Sequence, residues 1–392
     1  MPQRRRAFVL GLLAGAALTA GGFLLARSDI GPFGGGSTNP VTDVRHTIEE
    51  NYYRPLDQTL LDTASINGML AELKAKFGDK FSHYFDAKTF QAFQDQTSGH
   101  FQGIGLTVDG TKRGLRVVRV LPKTPAERAG IQRNDLIVMA AGRSLKGLSA
   151  DAASSLIKGQ PGTAVKLRLI PADGSGPRNL TVDRASVRLP AVRGFMSHAA
   201  GQKVGYVRFV TFSAGAHGEL ESAVKRLETH GAKGLVIDMR GNGGGLLDEA
   251  VLSASLFLHE GQLVVSTKSR TQGSRDYDAV GGTLPRVPIV MLIDRDTASA
   301  AEILTAALQD HNVATVVGTR SYGKGVFQDV IQLASGGALD LTVGRYFTPD
   351  GISLAPRGIK PDVYAKDDLQ TKPDEALQRG LTVLGNELKT SK

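Results

Sequence analysis

Ser299 lies in the segment DTASAAEIL, after an apolar run (288–294) that reads as a buried strand and at the start of a helical pattern over 300–310. A hydroxyl presented there would sit among backbone N–H groups and the positive end of a helix dipole, which favour a developing oxyanion. The same letters also spell a capping box, a serine answered by Glu302 three residues on. Taken alone, the segment fits the cap better than the catalyst. Lys324 lies in SYGKGVFQ, between Gly323 and Gly325. A lysine serves as general base for serine when burial penalises its ammonium form, and serine–lysine pairs are a known variant of the serine–histidine–aspartate arrangement. Taken alone, a lysine between glycines is a turn residue.

Other chemistries fail on missing residues. Gly318 to Lys324 matches most of a phosphate-binding loop, but Gly325 stands where a magnesium-binding Ser or Thr belongs, and strand follows rather than helix. Ser321 to Lys324 matches Ser-x-x-Lys without the companion motifs of penicillin-binding enzymes. His259-Glu260 lacks the second histidine of a zinc protease, the eight histidines do not cluster, and there is no cysteine. No metal or cofactor is expected. DMRGNGGG (238–245), between a buried strand and a helix, is either a flexible connection or a loop whose bare N–H groups line an anion pocket.

The elements that would position these residues fall in blocks. Residues 41–99 carry apolar residues at helical spacings. From 100 to 185, short strands alternate with Gly-rich turns and two short helices, near 125–129 and 150–158. From 186 to 392 the pattern is α/β. Strands are expected at 203–210, 234–238, 289–293 and 313–317, and helices at 218–230, 246–258 and 300–310. An antiparallel pair at 326–333 and 338–346 and a last helix at 373–388 complete it.

Residues 7–26 form an uncharged run of 20, about 30 Å long as a helix, behind Arg4, Arg5 and Arg6. The expectation is a membrane anchor over 1–27 with the remainder exported, or a secreted chain if the segment is a cleaved signal; residues 28–40 follow as a flexible tether. The net charge of +9 includes the four arginines that flank this run, and the other basic residues are scattered, which argues against nucleic acid as a partner.

Together the motifs resemble the carboxyl-terminal processing (tail-specific) proteases over nearly everything after the tether. FQGIGLTV and KTPAERAGIQRNDLIVMAAG look like that family's PDZ domain (100–185). DMRGNGGGLLDEAV, DTASAAEILTAALQD, GTRSYGKGVFQ and RYFTPDGISLAPRGIKPDV look like its peptidase core (186–392), in the family's order. The resemblance implies an α/β multidomain serine endopeptidase with Ser299 as nucleophile, Lys324 as base and Gln328 positioning the lysine. The N–H groups of Ala300 and of a glycine near Gly244 would form the oxyanion hole. Gly103, Ile104, Gly105 and Leu106 would bind the terminal carboxylate of a protein tail added as a β-strand, and the PDZ domain can gate the site. An adaptor or a homo-oligomer would be further partners. The competing reading is an inactive PDZ scaffold, which the presence of Ser299, Lys324 and Gln328 disfavours.

Overall fold

A computed structural model describes residues 39–282, 284, 286–368 and 373–390. The expected anchor over 1–27 and nearly all of the tether lie outside them. Among the described residues no helix is long and apolar enough to cross a membrane. The chain divides into two compact units, Met1–Gly78 and Asp79–Lys392. The described part of the first is two helices. Pro40–Asn51 is capped by Asn39, whose side chain accepts from Val41 N–H, and Gln58–Phe77 by Asp57, which accepts from Thr59. An Arg45–Asp62 ion pair at 2.6 Å ties one to the other.

The second unit holds the chemistry. Its main sheet runs in the order Val192–Ala199, Gln202–Phe209, Leu235–Asp238, Ile289–Ile293, Thr315–Gly318 and Val363–Tyr364. The first two strands are antiparallel and the rest parallel. The parallel strands are apolar on both faces because both are covered. Ile289, Met291 and Ile293 pack against helices Ala216–Thr229, Leu247–Ser255 and Ala300–Asp310, whereas Val290 and Leu292 pack against Leu384 and Leu388 of helix Glu375–Thr390. Three neighbouring parallel strands release their loops at one end of the sheet: Leu235–Asp238 into the glycine loop, Ile289–Ile293 into Ser299, Thr315–Gly318 into Lys324. Carboxyl ends of parallel strands are where α/β sheets place their sites.

A second, antiparallel sheet is organised by Ala338–Phe347, which pairs with Val326–Gln332, His83–Phe85 and Leu263–Ser269; Gly273–Asp278 adds to the last. His83–Phe85 corrects the wholly helical reading of 41–99, and the hairpin 263–278 and the strand Val192–Ala199 carried no sequence expectation. These segments are polar or irregular, so their pairing partners decide their state rather than their own pattern. Residues 106–183 form a separate antiparallel sheet in the order Leu106–Thr111, Gly114–Val120, Leu136–Ala140, Ala164–Ile170 and Arg178–Asp183, with helices Pro125–Arg128 and Ala150–Ile157. His100–Gly103 pairs with Ala185–Arg188, so the chain enters and leaves this domain side by side.

Leu384 is fully buried against Val236, Val290 and Leu292. Leu384→Ala should destabilise the second unit by about 3 kcal/mol, read as a lowered denaturation midpoint; an unchanged midpoint would mean the terminal helix is not part of the core.

Candidate active site

Ser299 stands at a sharp strand-to-helix bend with φ 58° and ψ −121°. This is left-handed backbone that a non-glycine residue occupies only when its surroundings enforce it. Three contacts from the glycine loop do so: Ala298 N–H donates to Asn242 O at 2.9 Å, the Thr297 hydroxyl to Met239 O at 3.0 Å, and Gly241 N–H to Asp294 Oδ1 at 2.9 Å. Asn242 is itself fully buried and donates to Phe209 O.

Glu302, seen in the sequence only as a capping partner, does more. It is fully buried. Its Oε2 accepts from Ser299 N–H at 2.8 Å and from Lys324 N–H at 3.0 Å; its Oε1 accepts from Gly323 N–H at 2.7 Å and the Ser321 hydroxyl at 2.5 Å. One carboxylate therefore clamps the serine bend to the lysine loop. Burial pushes its pKa above the ordinary range, against the pull of those four donors. Tyr322 N–H donates to Thr297 O at 3.0 Å, a second tie between the loops, and Ile359 N–H donates to Ser321 Oγ at 2.6 Å. Gly325 has to be glycine: a Cβ there would lie 2.0 Å from Ala355 N.

Burial lowers the Lys324 ammonium below the ordinary lysine range, and the Asp340 and Glu302 carboxylates oppose that shift only in part. Lys324 Nζ lies 5.2 Å from the centroid of the Phe81 ring. Phe81 is placed by Asp79, whose carboxylate accepts from Phe81 N–H, Ser82 N–H, the Ser82 hydroxyl and the Thr342 hydroxyl. The Gln328 amide donates to Thr342 Oγ1 at 3.2 Å. It thus joins the network that carries Phe81 instead of bonding Lys324 directly. Asp79, Ser82, Thr342 and Asp340 had no sequence signal; they come from segments some 260 residues apart that meet only in the antiparallel sheet.

Of the expected oxyanion donors, Ala300 is the first residue of its helix, where a backbone N–H has no intrahelical partner. Gly244 abuts the site, since a Cβ there would meet Ala298 O, Ser299 Cβ and Ala300 N at 2.8–3.0 Å. Its N–H, however, donates to Asn242 Oδ1 at 2.9 Å. The foot of the glycine loop is fixed by Asp238, 1% exposed, which accepts from Tyr206, Arg208 and Arg240. Arg240 also pairs with Asp367 and Asp374, and these bonds keep it charged although burial works against it.

Gly103, Ile104, Gly105 and Leu106 lie apart from these residues in the chain fold, in a groove of about 330 Å³. Its walls are the edge strand Leu106–Thr111 and helix Ala150–Ile157.

The profile of peptidase family S41 matches residues 203–365, and that of the PDZ domain residues 116–170. A carboxy-terminal-processing protease of Bartonella bacilliformis is 36% identical over 84% of this chain and 75% of its own length. The carboxy-terminal processing protease CtpA of Bacillus subtilis is 33% identical over 81% of this chain and 67% of its own. The solved photosystem II D1 C-terminal processing protease shares 31% identity, covering 88% of this chain and 90% of its own, with a TM-score of 0.51. The chain belongs to the carboxy-terminal processing proteases of peptidase family S41, serine-type peptidases that here carry a PDZ domain.

Proposed function

We propose that the chain is an endopeptidase that cuts proteins near their C-termini with Ser299 as nucleophile and Lys324 as general base. The observation that carries this reading is the Glu302 carboxylate, which holds the backbones of both residues against one oxygen atom. Neutral Lys324 takes the proton from Ser299 Oγ as that oxygen adds to the scissile carbonyl carbon. The resulting oxyanion lies toward the Ala300 N–H at the helix start. Lys324 then gives its proton to the leaving amine as the C–N bond breaks, leaving an ester on Ser299. Water, deprotonated by Lys324, hydrolyses the ester, and the proton returns to Ser299. Gln328 acts at one remove, through Thr342 and the turn that holds Phe81. The groove beside Leu106–Thr111 receives the substrate's tail as an added strand or gates access to Ser299. The uncharged run 7–26 behind three arginines supports an exported catalytic part held at the cell envelope.

Ser299→Ala and Lys324→Ala should each lower cleavage of a protein with an unstructured apolar tail by at least about a thousandfold with unchanged circular dichroism; cleavage by either variant at the parent rate would refute the dyad. The neutral amine is the active form and its pKa is depressed, so kcat/KM should rise with pH through that pKa and reach its plateau at a pH still below the ordinary lysine range. Removing an opposing carboxylate by Asp340→Asn should move this acid limb to lower pH, and a shift to higher pH would contradict the assignment. Glu302→Gln keeps the shape but lets one amide oxygen serve donors that now use two carboxylate oxygens. Loosening the bend and the lysine loop should reduce kcat by about a hundredfold with a smaller change in KM, measured by steady-state kinetics.

A further inference from the structure

The PDZ-type groove has a polarity beyond its glycine-flanked end. Its lining is mostly apolar, including Ile104, Leu106, Leu121 and Ile157, and the only charged residues among those lining it are Asp151 and Lys158. Both are exposed on or beside helix Ala150–Ile157. The helix runs opposite to the strand Leu106–Thr111. Its start lies beside the far end of the strand, since a Cβ on Gly110 would meet Ala150 Cβ at 3.1 Å. Its end lies beside the glycine end: Arg184 donates to Ile157 O, and the next residue, Ala185, pairs with Gly103. The cation therefore sits at the Gly103–Gly105 end of the groove and the anion at the other.

The geometry points to a preference for tails with a basic residue two positions before an apolar C-terminal residue, with Lys158 attracting the terminal carboxylate and Asp151 the basic side chain. This rests on reading the groove as the tail site. The final side chain would enter among Leu106, Leu121 and Ile157. In an added strand, side chains alternate and residues advance by about 3.4 Å, so the next side chain facing the helix is two positions back, about 7 Å away. Along the helix at about 1.5 Å per residue, Ser154 lies about 4.5 Å and Asp151 about 9 Å from Ile157. The third-from-last side chain thus falls between Ser154 and Asp151, within reach of a lysine or arginine stem. An acidic side chain there would face the Asp151 carboxylate.

The test uses the full chain carrying Ser299→Ala, so that peptides are bound and not consumed, with fluorescence anisotropy as the readout. Three labelled peptides differ only at the end: Lys-Ala-Leu acid, Glu-Ala-Leu acid and Lys-Ala-Leu amide. The lysine acid should bind about fivefold tighter than the glutamate acid at low ionic strength, with the ratio shrinking in high salt. Asp151→Lys should invert the ratio, and Asp151→Asn, a milder change on an exposed position, should bring it to unity. Lys158→Ala should weaken both acids alike and leave their ratio unchanged. Equal binding of the two acids, with the amide weaker than either, would overturn the assignment of Asp151 while leaving the groove as a tail site. An amide that binds as well as its acid would instead overturn the tail site itself.

Discussion

The Glu302 carboxylate is shared by two loops that leave neighbouring strands of the main sheet. One leaves the strand Ile289–Ile293 and bends at Ser299; the other leaves Thr315–Gly318 and carries Ser321, Gly323 and Lys324. Four donors converge on the two oxygens of this fully buried carboxyl group, so each loop's position is defined relative to the other by short hydrogen bonds. Burying an ionisable group in this way is unfavourable unless its bonding capacity is filled, and here every donor belongs to one of the two loops. The arrangement disfavours any conformation in which they separate.

Strain and desolvation are concentrated at the same place. Ser299 holds a left-handed backbone that the glycine loop enforces through Asn242 and Met239. Lys324 is buried where its ammonium is disfavoured, beside the Phe81 ring. Both suit a serine–lysine pair: a hydroxyl on a rigid bend and an amine able to shed its proton. They persist because the elements around them are firmly anchored. Arg240 joins the foot of the glycine loop at Asp238 to Asp374 at the start of the terminal helix, and Asp79 fixes the turn of Phe81 onto the strand Ala338–Phe347. The geometry of the candidate site thus depends on charged groups outside the proposed dyad.

Much of the architecture was legible in the order of residues. The buried strand Ile289–Ile293 and the helix Ala300–Asp310 read directly as an apolar run followed by a mostly apolar helical segment, because both faces of the strand are covered and the helix is buried all round from Ala300 to Leu308. The candidate residues Ser299, Lys324 and the glycine loop were found by type and order. What the capping pattern at Ser299 meant could not be decided locally, since Glu302 does return to Ser299 N–H as a capping residue would. The same carboxylate also reaches Ser321, Gly323 and Lys324, and that part is invisible at a spacing of three.

The sequence by itself determined which segments are strands and helices where burial imposes a period, and which residue types are available for acid–base chemistry. The tertiary structure alone decided which of those residues share an environment. Gln328 turns to Thr342 and not to Lys324, and Gly244 N–H turns to Asn242. Asp79 reaches a strand more than 260 positions away. A hydrogen bond depends on distance and angle in space, which chain order constrains only within an element, so the partners of a side chain become known only once the sheets have brought the ends of their strands together.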